Sequence, residues 1–488
     1  MRRLTYLFII PLFFSCSVSK NYNPNKKYSK EELKKDYSLL RNILEKKHPS
    51  LYWYSSKDSM NYFFDEGYKA IQDSMTELQF AWKILAPLTS AIHCGHTSVA
   101  MSKGWNKFIK DKHIPSFPLF VKVWSDTMMV TDNLNRKNDS TIKRGDFITA
   151  INGIKSAEII KILFDYMVED GYSDNINYIR LSASFPYFHR NVFGLYKNYF
   201  VNYIDSNGIE KNAIIPYYAP PSDSIKKLIK EKKKAEKKLT YQQRIKDIRS
   251  LEFDSSFALM TVNEFSKGHL NNFFRRSFRH LRKKNVKNLV IDLRANGGGD
   301  INKSVLLTKF LKNKSFKVAD SAYAISKNFR PYSKNISWGF LNNIGLLFVT
   351  HKALDGKYHF GFWERHIYRP SRRNHFNGYV YVLINGLTFS ASSLFCNAVK
   401  GQENVTLVGE ETGGGWYGNS GILIPDITLP QTKLRVRLPF FRLVQYQHIP
   451  IKGTGVLPDI YTGPEWRDIL NNVDTKLERV KKIINEKK

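Results

Sequence analysis

KNLVIDLRANGGGD, from Lys287 to Asp300, is an apolar run rich in branched side chains that breaks into three consecutive glycines. A second stretch, YVLINGLTFSASSLFCNAVK from Tyr381 to Lys400, repeats that design with a serine-rich turn in place of the glycines. Each reads as a strand, a turn and the start of a helix, the arrangement by which a parallel sheet presents backbone N–H groups and a hydroxyl along one edge. Residues 251–466 alternate strand and helix patterns around the two stretches, which predicts an α/β core.

The glycine turn, Gly297 to Gly299, lets the main chain approach a ligand closely and points to a nest of N–H donors ahead of the helix NKSVLLTKFLK. A phosphate loop would need Lys-Ser or Lys-Thr after the glycines; Asp300 stands there instead, so the turn reads as an oxyanion hole. In the second stretch Ser390 follows the strand YVYVLI, and SASSLFCNAV winds as a helix with Ala391, Leu394, Phe395 and Ala398 toward the core. A serine at a helix start is commonly an N-cap, and the same N–H groups would also stabilise an alkoxide or oxyanion beside it. Spacing alone leaves Ser390, Ser392 and Ser393 as alternatives.

Working outward, 488 residues with 42% hydrophobic and 14% aromatic content describe a globular chain of about two to four domains and exclude a disordered one. MRRLTYLFIIPLFFSCS has a basic start and an apolar run far shorter than the ~20 residues that span a bilayer, so residues 1–15 read as an export signal. Ser15 directly before Cys16 resembles the lipobox of bacterial lipoproteins, which implies an acylated Cys16, a tether over 16–29 and a membrane anchor in the cell envelope. Only Cys94 and Cys396 then remain, read as two buried thiols rather than a disulfide framework. Lys and Arg outnumber Asp and Glu by 76 to 43, a formal charge of +33 spread along the chain; this reads first as solvated surface, second as attraction to an acidic membrane face, and calls for no nucleic acid.

Residues 30–110 read as a helical domain opened by a capping box at Ser29 and Glu32, with Leu33, Tyr37, Leu40 and Leu44 in one stripe. Residues 112–218 read as a β-rich domain around RGDFITAINGIKSAEII, which resembles the GD-x-I-x-x-I-N-G run of PDZ domains; Ser156 is expected to cap its helix. Residues 219–250 form a basic helical linker, and 467–488 a final charged helix.

LVIDLRANGGG, SASS, VGEETGG after the serine helix, GTGVLPDI near the end and EKKHPSLYWY in the helical domain, in that spacing, resemble the S41 serine peptidases, the tail-specific or C-terminal processing family. The resemblance implies a multidomain α/β protein with a ClpP/crotonase-like catalytic core beside the helical and PDZ-like domains. It implies Ser390 as nucleophile, with the N–H groups of Gly298 and Ala391 as oxyanion donors. The lysine of the processing proteases has no counterpart, since Gly415 holds its place. IHCGHTSV is similar to the histidine motif of the tricorn-core branch, which implies His96 as general base, with His93 as fallback. Gly95 and Lys452 stand where that branch has the partners of its histidine; Thr97, Ser98 and Glu411 are candidates, none assigned.

Cys94 and His96 share a face as i and i+2 without an arranged third partner or a fourth zinc ligand, so neither a cysteine nucleophile nor a metal is expected, and no cofactor. The expectation is a lipid-anchored serine endopeptidase of exported polypeptides, its PDZ-like domain adding the substrate as a strand and holding its C-terminal carboxylate. The alternative is a catalytically weak S41-like lipoprotein that binds peptides or apolar ligands.

Overall fold

The computed structural model describes residues 22–110, 112, 114–137, 139–220, 241–447 and 453–487. The export signal, Cys16, most of the expected linker and Lys452 lie outside the described residues.

The first region opens with α1 (Lys30–Lys47) and α2 (Lys57–Lys69). The Ser29 capping box forms: its side chain accepts from Glu32 N while the Glu32 carboxylate accepts from Ser29 N. Leu33, Tyr37, Leu40 and Leu44 are buried along one stripe of α1. Asp36, on that buried side, accepts from Gln431 N, Thr432 N and Thr432 Oγ1 at 2.9, 2.8 and 2.7 Å, docking the helix on a distant loop. After further short helical turns the chain forms a two-residue strand, β1 (Val99–Ala100), and α3 (Lys103–Ile109).

An antiparallel sheet follows, built from β2 (Leu119–Trp124), β3 (Thr127–Asn133), β4 (Phe147–Ile151), β5 (Ile154–Lys155), β6 (Asn198–Ile204) and β7 (Glu210–Pro216). Leu119, Val121 and Val123 are buried while the residues between them are half-exposed, the period-two pattern of a strand with one covered face. Asn152 and Gly153 turn β4 into β5 at φ 50° and 82°, the left-handed pair a two-residue hairpin requires. Two helices, α4 (Ser156–Phe164) and α5 (Asn175–Phe193), pack on this sheet, and α5 bends at Ser184, two residues before Pro186. Ser156 does not cap α4: it is already the first helical residue, and its hydroxyl donates to Ile148 O at 2.5 Å.

Described chain resumes with α6 (Tyr241–Ile248), and the core begins at β8 (Arg249–Phe253). Then come β9 (Ala258–Val262), α7 (Leu270–Lys283), β10 (Asn288–Asp292), α8 (Ile301–Leu311) and β11 (Ala319–Ala324). Next are α9 (Gly339–Val349), the hairpin β12 (His351–Lys352) and β13 (Tyr358–His359), then β14 (Tyr379–Ile384), α10 (Ala391–Val399) and β15 (Val405–Gly409). The chain closes with β16 (Gly418–Ile422), β17 (Asp426–Thr428), β18 (Arg435–Arg437), β19 (Phe441–Gln445), β20 (Ile460–Tyr461), α11 (Trp466–Asn471) and α12 (Thr475–Glu486).

Six strands form the central sheet in the order β8-β9-β10-β14-β15-β20, parallel except at β8. Val380 to Ile384 of β14 are all buried, as expected for a parallel strand covered on both faces. On one side α7 lays down Leu270, Phe273, Phe274, Phe278 and Leu281, a helical stripe, and Phe278 stacks on Phe310 of α8 at 4.4 Å. A second sheet runs β12-β13-β11-β19-β16, and a third joins β17-β18-β1. That last pairing matters for the site: Val99 and Ala100 pair with Val436 and Arg435, so the segment carrying His96 is sewn onto the core. The expected single C-terminal helix is two, because Asn472 adopts φ 53° and Asp474 caps a fresh start by accepting from Leu477 N. Arg294, of the LRANGGG turn, bonds both Asp292 and Asp474 and ties α12 to the core.

Candidate active site

Ser390 stands where the buried strand β14 has ended and α10 begins. It occupies the N-cap position without acting as a cap, because its side chain makes no bond to the helix's N–H groups. Its backbone sits at φ 56°, ψ −119°, a conformation costing a β-carbon residue about 1–3 kcal/mol unless its surroundings impose it. Those surroundings are on hand. Phe389 N donates to Asn296 O at 3.1 Å and Thr388 Oγ1 to Leu293 O at 3.1 Å, fastening the serine turn to the glycine turn. Gly298 presses in so closely that a β-carbon there would meet Ser390 Cβ at 2.8 Å, and one on Gly414 would meet Ser390 N at the same distance. Ser393 donates to Thr388 O at 3.1 Å and, like Ser392, is fully buried, whereas Ser390 is half-exposed; of the three serines only Ser390 reaches the surface.

His96 faces that serine from the segment leading into β1. A methyl group built on Gly421 would lie 3.1 Å from Ser390 Oγ and 3.2 Å from His96 Nε2, so the hydroxyl and the imidazole border one point, although no hydrogen bond joins them. The imidazole is buried and packs on Phe389, ring centroids 4.7 Å apart at 33°. Gly95 makes that packing possible, since a β-carbon there would strike the Phe389 ring at 2.7 Å.

Behind the imidazole stands Asp170, whose Oδ1 is 3.6 Å from His96 Nδ1. The carboxylate is positioned by backbone donors, Gly95 N at 2.8 Å and Gly415 N at 3.4 Å. Burial alone would push the imidazole down; the Asp170 carboxylate overrides it, with a smaller contribution from Cys94, and holds His96 up at about 9. Thr97, Ser98 and Glu411 do not orient His96: Thr97 Oγ1 bonds His48 Nε2, Ser98 O accepts from Arg437 N, and Glu411 accepts from Gly455 N. His93 turns away to Glu169 at 2.9 Å. Cys94 and Cys396 are free, buried thiols. Cys94, His96 and Asp170 offer ligand-type atoms within 4.8 Å of one another, so the third partner missing from the i, i+2 spacing is supplied by a distant loop.

The glycine turn departs from expectation at one atom. Gly298 adopts φ 102°, and its N–H donates to Asn296 Oδ1 at 2.9 Å, so in this arrangement it is not a free oxyanion donor. Asn296 itself is held by its amide on Val262 O, which makes its side chain a local acceptor that the triple-glycine pattern did not reveal. The Ala391 N–H begins α10 beside Ser390, among the helix-start donors that lack an intrahelical acceptor.

Residues 256–462 match the family model of peptidase family S41. These residues form an S41 peptidase region. The S41 core thus spans β9 to β20, both turns and the VGEETGG loop, while His96 and Asp170 lie in the regions before it. Mature CPAF complexed with lactacystin superposes with a TM-score of 0.62 at 14% identity, covering 93% of this chain and 98% of that one. Mature CPAF alone gives 0.60 at 13%, covering 93% and 96%. At such identities the likeness speaks for the shared fold. No curated protein sequence matches the chain.

Asp170, Gly421 and Phe389 are the site residues that sequence reading missed. Asp170 lies in EDGYSD, an acidic loop like many others, and only the contact with Gly95 and His96 singles it out.

Proposed function

We propose that the chain is a serine endopeptidase working through Ser390, His96 and Asp170. Ser390 Oγ attacks the scissile carbonyl while His96 Nε2 takes its proton; the imidazolium then gives that proton to the leaving amine, and water repeats the cycle to release the acyl group. Asp170, its carboxylate 3.6 Å from Nδ1, stabilises the imidazolium. The oxyanion is received by the Ala391 N–H, joined by Gly298 N–H once that group leaves Asn296. The observation that carries this reading is the convergence of Ser390 Oγ and His96 Nε2 on the point beside Gly421.

A fluorophosphonate probe tests it directly. Native protein is expected to be labelled, Ser390→Ala not at all, and His96→Ala far more slowly; undiminished labelling of Ser390→Ala would remove the assignment. Export, acylation of Cys16 and recruitment of substrate C-termini by the β-rich domain complete the proposal. Mass spectrometry of the mature N-terminus and cleavage of peptides with free against amidated C-termini check these parts.

A further inference from the structure

α9 is an amphipathic helix turned inside out. Its buried stripe is Gly339, Asn343 and Leu346, and the anchoring is polar: Asn343 accepts from Phe329 N at 2.7 Å and donates to Ser333 Oγ at 2.9 Å. Its large apolar side chains face outward instead. Phe340, Leu341, Leu347 and Phe348 are exposed, Phe348 to 83%; Trp338, just before the helix, is exposed to 75%, and Leu354 at the tip of the β12–β13 hairpin is fully exposed. Soluble surfaces rarely gather so many in one patch without a partner.

The charge around the patch says which partner. No Asp or Glu occurs from residue 321 to 354, while Lys327, Arg330, Lys334 and Lys352 are all exposed there. Asp355, at the far end of the tip, is engaged by Lys357 and His359. A second copy docking through this face would set the same cations against one another, which a two-fold contact cannot avoid. An anionic bilayer satisfies both features, taking the apolar side chains below its headgroups and pairing the lysines and arginine with phosphates. Eleven residues make a helix of about 16 Å, suited to lying in the interface and too short to cross; among the described residues no helix is long and apolar enough to cross a membrane. The third sheet links this patch to Tyr22. Ile336 bridges Ile427 of β17 at one edge, and β1, at the other edge, leads into α3, where Trp105 and Phe108 pack on Tyr22.

We propose that residues 338–354 form a peripheral docking surface for an anionic lipid bilayer, independent of the Ser390 chemistry. The test uses the full chain carrying Cys16→Ser, so that no acyl group contributes, with Phe348→Cys labelled by the polarity-sensitive nitrobenzoxadiazole fluorophore; Cys94 and Cys396 are buried. With vesicles of equimolar phosphatidylcholine and phosphatidylglycerol the emission is expected to move to the blue and brighten, less so in high salt, and pure phosphatidylcholine is expected to give little change. Trp338→Ser with Leu347→Ser in the same labelled chain should weaken partitioning by about tenfold or more. No shift on anionic vesicles, or a shift that those two substitutions leave unchanged, overturns the proposal. So does a shift that grows with protein concentration in the absence of vesicles, which would mark a second copy as the occupant.

Discussion

In the proposed mechanism the imidazole of His96 must be neutral to accept a proton, yet Asp170 holds it up at about 9. Below that value the protonated, inactive form dominates, so kcat/KM for peptide cleavage is expected to fall about tenfold per pH unit on the acid side. Asp170→Asn removes the largest upward influence and leaves burial, which pushes down; the acid limb should move to lower pH while the plateau drops by on the order of 10²–10⁴-fold, as when other triads lose their carboxylate. Cys94→Ser should also move the limb down but keep most of the plateau, because the thiol lies near the ring and raises it without orienting it toward Ser390. A pH–rate series on the three proteins separates these outcomes. Gly421 gives a steric test: the methyl of Gly421→Ala would sit 3.1 Å from Ser390 Oγ and 3.2 Å from His96 Nε2, in the space the reacting carbonyl needs. Its kcat/KM is expected to fall about 10²-fold with little change in Tm.

At the scale of elements, the site depends on loops that approach with no room for a side chain. Gly414→Ala would drive a β-carbon to 2.3 Å from Ser393 Oγ and 2.8 Å from Ser390 N, displacing the serine turn. It should abolish fluorophosphonate labelling while the far-UV circular dichroism stays close to that of the parent. The anchor of α1 is a different case, affecting stability before chemistry. Asp36→Ala would leave two backbone N–H groups and a hydroxyl without their buried acceptor, a loss expected to be about 3 kcal/mol or more and to appear as a lowered denaturation midpoint. The elements themselves were largely readable. Strand β14 and helix α10 follow from a β-branched run and a helical spacing of apolar residues, while the break between α11 and α12 was not readable, since nothing in the local pattern required Asn472 to turn left-handed.

For the whole molecule, His96 arrives from a region outside the S41 core and is kept there by the pairing of β1 with β18, with Asp170 contributed by a third region. Loss of fluorophosphonate labelling in denaturant is therefore expected to coincide with the earliest of any unfolding steps seen by circular dichroism; labelling that outlasts detachment of the helical region would contradict this assembly. Local chemistry was enough to mark where a hydroxyl and a glycine cradle stand, because strand ends, consecutive glycines and helix starts are written in neighbouring residues. Which carboxylate backs the imidazole, where the Gly298 N–H points, and that α9 turns its apolar side outward were decided only on folding. Each depends on contacts between segments far apart in the chain, whose approach is set by sheet pairing and glycine-to-backbone packing rather than by any local sequence pattern.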